Sequence, residues 1–117
     1  ILKNRKKDLS AYFGLGTTAL KQDDAQSAIN NLKKVIDSDD SHLASKAFYN
    51  LASIYNDQQN LEQSLDLLKK SLELNPNNED AKVNFEIIKQ IIGSEVNKSN
   101  VSAIVNEVVN KKTGKHT

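Results

Sequence analysis

An all-α fold of stacked antiparallel helix pairs is what this chain predicts, and three observations carry that reading. The first is a repeated skeleton. Tyr12, Leu15, Gly16, Ala28 and Leu32 in one stretch are answered by Phe48, Leu51, Ala52, Ser64 and Leu68 in a second, which adds Tyr55 and Ser71 and closes on Pro76. An aromatic, a leucine and a small residue, then another small residue and a large apolar one, describe a helix–turn–helix unit that recurs. The second observation is apolar spacing at the helical period, broken by short polar clusters. The third is composition: of 117 residues 38% are hydrophobic and 5% aromatic. That is little for a thick central core and suits a thin stack in which each helix is covered by its neighbours.

Residues 1–8, with Lys3, Arg5, Lys6 and Lys7, read as a basic lead-in or the first turn of a helix. From Leu9 to about Gln22, Leu9, Tyr12, Phe13, Leu15, Ala19 and Leu20 follow helical spacing. Gly14 and Gly16 each weaken an isolated helix by about 1 kcal/mol. Gly16 has a packing reason, because a small residue lets the partner helix cross closely; Gly14 has none in the sequence. Asp24 is placed to cap the next helix by accepting backbone N–H bonds. That helix carries Ala28, Ile29, Leu32, Val35 and Ile36 and ends at the polar cluster Asp37 to Ser41.

The second pair is clearer. Ala44, Ala47, Phe48, Leu51, Ala52, Ile54 and Tyr55 line one helix, and Asn56 to Asn60 make the turn. Asn60 with Gln63 three residues later predicts a capping box. Leu61, Leu65, Leu68, Leu72 and Leu74 follow, until Asn75-Pro76 stops the helix. A third first-type helix runs from about Glu79 to Ile92, with Ala81, Phe85, Ile88 and Ile92 on one face and Val83, Ile87 and Ile91 on another. Residues 93–99 read as a linker. Residues 100–112 then form an amphipathic helix capped by Asn100, with Val101, Ile104, Val105, Val108 and Val109 at i, i+3, i+4, i+7 and i+8. Its β-branched side chains make it a poor autonomous helix, so it depends on packing. It either folds back on the second face of the 79–92 helix or docks on a neighbouring copy. Residues 113–117 read as a frayed tail.

Residues 9–92 resemble the tetratricopeptide repeat: two full units and the first helix of a third. In the second unit Phe48, Leu51, Ala52, Tyr55, Ser64, Leu68, Ser71 and Pro76 meet every signature position; in the first, Ala19, Val35 and Asp40 depart from it. Gly16 and Ala52 stand 36 residues apart, two beyond the usual period of about 34, which lengthens the loop around Ser38 to His42. The resemblance implies a short right-handed superhelix whose first-type helices line a concave groove. On that basis Phe13 and Thr17, then Lys46, Tyr49, Asn50 and Ser53, then Val83, Asn84 and Ile87 are the candidate partner-binding residues. Phe13, Tyr49 and Val83 hold equivalent places and would supply an apolar strip, with Asn50 and Asn84 bonding the backbone of an extended or helical segment. The bland reading of Phe13 and Tyr49 is packing between helices. A clamp for C-terminal carboxylates is not expected: Phe13 and Thr17 stand where that clamp has lysine and asparagine, and Asp80 would repel the ligand. Residues 75–86 also resemble the end of small repeat proteins of bacterial aerotolerance operons.

These features point to a non-enzymatic module that binds a peptide or protein segment within a larger bacterial assembly. The alternative is self-association, as a homodimer through the C-terminal helix or by groove exchange. No cofactor is expected. His42 and His116 lack companions at ligand spacing. Asp37, Asp39 and Asp40 lack the glycine and distal glutamate of a calcium loop. No serine, histidine and carboxylate are arranged as a nucleophile. The net charge of +1 gives no general field for nucleic acid, and the basic run Lys3 to Lys7 lacks interleaved aromatics. No run approaches the ~20 apolar residues that span a bilayer. The start at Ile1 reads as a fragment with its beginning removed. Without cysteine the compartment is not indicated, and the bacterial cytoplasm and the cell envelope both fit.

Overall fold

A computed structural model describes residues 2–113, with side chains over residues 6–110. Five helices follow one another: α1 (Leu2–Lys21), α2 (Ala25–Lys33), α3 (Ser41–Asp57), α4 (Leu61–Leu74) and α5 (Glu79–Thr113). The hairpins α1–α2 and α3–α4 stack through α2 on α3, and α4 packs on α5, giving a body of 73 × 28 × 23 Å. Among the described residues there is no strand. The all-α repeat architecture is the one observed.

Two clusters of buried side chains hold the stack, and each crosses a repeat boundary. The first joins Ala19, Ala28, Ile29, Leu32 and Val35 of the first hairpin to Ala47, Leu51 and Ile54 of α3. The second joins Ala52 and Leu68 of the second hairpin to Ala81 and Ile88 of α5. Ala81 and Ile88 repeat Ala47 and Ile54 at a spacing of 34 residues, so each new helix presents the same two residues to the unit before it.

Within each hairpin, close approach depends on small side chains. A Cβ on Gly16 would lie 2.8 Å from Leu32 Cγ, and Leu32 is fully buried. In the second hairpin the Ser64 hydroxyl donates to the Ala52 carbonyl at 2.7 Å. Ser45 and Ser71 exchange hydroxyl-to-carbonyl bonds at 3.0 and 2.8 Å, which satisfies both buried polar groups. The rings at the hairpin edges repeat as well: Lys34 lies over Tyr12 at 4.4 Å, and Lys70 over Phe48 at 5.9 Å.

The turns also recur. Asp23 and Gln59 adopt φ of 57° and 64°, the left-handed conformation that ends a helix. Behind them the Asp24 N–H donates to Ala19 O at 2.9 Å and the Asn60 N–H to Tyr55 O at 2.8 Å, closing carbonyls left open by the finished helix. Asp24 caps α2 as the sequence predicts, accepting from Ser27 N–H at 3.2 Å. Hydrogen bonds from Ser27, its hydroxyl foremost and its backbone N–H next, hold the Asp24 carboxyl below the ordinary carboxylate range. Asp40, in the place of the signature proline, caps α3 by accepting from the N–H groups of His42 and Leu43. Asn78 caps α5 through Ala81 N–H.

Several expectations are corrected. Asn60 makes no side-chain cap; its amide donates to Gln63 Oε1 at 2.9 Å, so the two side chains satisfy each other and not the backbone. Asn56 lies within α3. Helix α2 stops at Lys33 and tight turns carry Val35 into the core, where it is fully buried. Of the two readings of residues 1–8, residues 2–8 follow the helical one, as the start of α1. Leu15 is 55% exposed although its counterpart Leu51 is buried, because Leu51 is covered by the preceding hairpin and no described residue covers Leu15 in the same way. The expected 93–99 linker and separate 100–112 helix are one continuous helix with 79–92, so the C-terminal segment does not fold back. A single glycine costs a helix about 1 kcal/mol and does not stop it without a proline or an alternative cap. Residues 114–117 of the expected tail lie outside the described residues.

The two α1 glycines make opposite predictions. Gly16→Ala pushes a methyl into Leu32 and should lower unfolding free energy by about 1–3 kcal/mol. Gly14, whose added Cβ meets no atom within 4 Å, should gain about 0.5–1 kcal/mol on substitution by alanine. Urea unfolding followed by circular dichroism reads both; a tolerated Gly16→Ala contradicts the packing described.

Candidate functional site

The inner surface is built from the first-type helices. α1 touches α3 directly, and α3 reaches α5 where the Asn84 amide donates to the Tyr49 hydroxyl at 3.2 Å. That bond links two of the sequence-predicted residues and fixes the spacing of the two helices at this level.

The nine candidates fall into different environments. Phe13 is half-buried against the first core cluster and Tyr49 against the second, so both rings pack between helices. Val83 and Ile87 are exposed on α5, at 55% and 50%. Thr17 and Ser53 are half-buried and bond their own helix, through Gly14 O at 3.0 Å and Tyr49 O at 3.2 Å. Asn50 and Asn84 are half-buried, while Lys46 is exposed.

Ser53, Asn84 and Ile87 come together at a cleft of about 120 Å³ where α3, α4 and α5 meet. Ala52, Leu68 and Ile88 contribute buried side chains to its lining, and Ser64 is already bonded to the Ala52 carbonyl. Asn56 and Ile91 complete it, and both are exposed. Sequence reasoning missed Asn56 by assigning it to a turn, and left Ile91 off the groove although it follows Ile87 by one helical turn. The arrangement is a recess of mixed character, aliphatic side chains alternating with carboxamides and a hydroxyl. It fits an aliphatic side chain flanked by hydrogen-bonding backbone, and contains no charged group.

A second cleft, of about 150 Å³, lies between the start of α1 and the lengthened α2–α3 loop. Lys6, Ser10, Ser38, Asp39 and Asp40 line it with Leu9 and Leu43, so opposite charges share one recess. Among the described residues no group of three or more histidine, cysteine, aspartate or glutamate side chains is placed to hold a metal ion. Likewise, among the described residues no helix is long and apolar enough to cross a membrane.

The Tyr49–Asn84 bond is testable by a double-mutant cycle. Tyr49→Phe and Asn84→Ala should each destabilise, and their combination should fall short of additivity by about 0.5–1.5 kcal/mol in urea unfolding. Strict additivity would mean the two helices are not joined here.

Residues 9–42 and residues 45–78 each match a family model described as Tetratricopeptide repeat. The matches begin at residues 9 and 45, so their 36-residue spacing is that of Gly16 and Ala52, and together they cover more than half of the chain. Among curated proteins no match is found.

Proposed function

Because the chain belongs to the tetratricopeptide repeat family, whose repeats are generally protein-interaction modules and typically non-enzymatic scaffolds, we propose that it captures a peptide or protein segment along the inner surface of α1, α3 and α5. The observation that carries this reading is the cleft between α3, α4 and α5. An aliphatic side chain of the partner enters it, and its flanking backbone bonds the amides of Asn56 and Asn84. Ser53 lines the same cleft, and Tyr49, Asn50, Lys46, Phe13 and Thr17 extend the proposed surface along α3 and α1. Recognition is therefore by shape and neutral hydrogen bonding. The chain's near-zero net charge favours this over electrostatic capture of nucleic acid.

In the same proposal the chain serves as one module of a larger bacterial assembly. Its support is the resemblance of residues 75–86 to repeat proteins of aerotolerance operons.

A displayed random-peptide library selected on the chain tests the groove. Selected peptides should share an aliphatic anchor, and their affinity should fall at least tenfold on Tyr49→Ala/Asn50→Ala while far-ultraviolet circular dichroism stays unchanged. Affinity that ignores this double variant, or that collapses between 50 and 200 mM salt as counterion release requires, contradicts the reading.

A further inference from the structure

We infer that one face of α5 is a self-complementary surface on which α5 of a second copy of this chain docks antiparallel, about a two-fold axis at the level of residue 96. Val83, Ile87 and Ile91 form one apolar triplet, and Val101, Val105 and Val109 form another. The triplets are 18 residues apart, which is five turns of an α-helix at about 3.6 residues per turn, so both lie on the same side. All six are 40–58% exposed. The pattern also reads the same in reverse. In an antiparallel pair Val83 meets the partner's Val109, Ile87 meets the partner's Val105, and Ile91 meets the partner's Val101.

Charge selects this orientation. Ser94 and Lys98 occupy the same face between the triplets. A parallel pair would set Lys98 against its own copy, a like-charge contact. The antiparallel pair sets it against the partner's Ser94, beside the partner's Glu95. The two folded arrays then stand at opposite ends of the paired helices.

Among the described residues, packing of the array on α5 ends near Ile92. Residues 93–110 are exposed throughout, and their β-branched content gives weak intrinsic helicity, so packing must supply what propensity does not. A returning second-type helix has no seat on α5. Where α3 offers Phe48, Ala52 and Tyr55 to α4, α5 has Lys82, Glu86 and Lys89 at the equivalent 34-residue spacing, all exposed. The antiparallel contact runs about 40 Å along each helix and covers about half its circumference. That gives on the order of 1,200 Å² in total, the lower end of the range for specific protein–protein interfaces. The docked helix covers Ile87 and Ile91, which also line the cleft between α3, α4 and α5, so a second copy and a captured peptide compete there, while the portion from Phe13 to Asn50 stays open. The inference does not rest on the peptide-capture proposal.

Sedimentation equilibrium of the whole chain from micromolar to several hundred micromolar tests it. The expected result is a monomer–dimer equilibrium. Ile87→Glu and Val105→Lys should each weaken dimerisation at least tenfold. An equimolar mixture of the two should restore it, because the carboxylate introduced in one copy then faces the ammonium introduced in the other. Rescue on mixing excludes misfolding as the cause of either loss, and Tyr49→Ala/Asn50→Ala should leave the dimer intact, which separates this surface from the groove. A monomer at every concentration, a mass above the dimer, single variants that still dimerise, or a mixture that stays monomeric would each overturn the proposal.

Discussion

Close approach of paired helices through side chains too small to keep them apart is the constraint on which this molecule depends. Gly16 admits Leu32 to within a distance that even a methyl group would forbid. In the next hairpin the same clearance is made by Ala52 and Ser64, and farther along the crossing by Ser45 and Ser71. Serine serves in place of alanine because its hydroxyl reaches a carbonyl on the opposite helix, so among the described residues no polar side chain is buried unpaired. Once the helices are this close, Leu32 and Leu68 are driven past their own hairpins into the next unit. The core is therefore shared: it fills each hairpin and continues across the boundary into the next unit.

That arrangement makes the two ends of the stack unlike its middle. At the first end Leu15 stands exposed in the position where Leu51 is buried. At the other, α5 keeps Ala81 and Ile88 to seal the second cluster and turns charged residues toward the side where a hairpin partner would pack. Among the described residues, the recess beside Leu68 and the long flank of α5 keep apolar side chains accessible. On both surfaces contact with another polypeptide is proposed. The family's general role in protein interaction is consistent with this distribution of accessible apolar area.

The hairpins were legible because their determinants are local: an aromatic, small residues at crossing points, and polar turns with capping aspartates. Asp24 and Gly16 could be assigned correctly from their neighbours in sequence. What sequence spacing alone concealed depends on partners far along the chain. Leu15 looks like Leu51 until one asks which unit lies outside it. The 93–99 segment, with one glycine and several serine and asparagine residues, reads as a linker by composition, yet it lacks the proline or left-handed turn that would end a helix. Ser45 interrupts an apolar stripe in the sequence and shows its purpose only when Ser71 comes opposite. Of the candidate groove, Ser53, Asn84 and Ile87 meet at the recess, whereas Phe13 and Tyr49 are partly consumed by packing. Asn56 escaped because its place in α3 or in the turn is set by where Gln59 goes left-handed.

The sharing of core side chains across repeat boundaries can be measured most directly by native-state hydrogen exchange resolved by residue. Buried amides in α1–α2 and in α3–α4 should converge on one common opening free energy as urea is raised, because neither hairpin can open without exposing the core of the other. Two distinct opening energies, with the first hairpin exchanging while the second stays protected, would show that each hairpin is held by itself and would contradict the account.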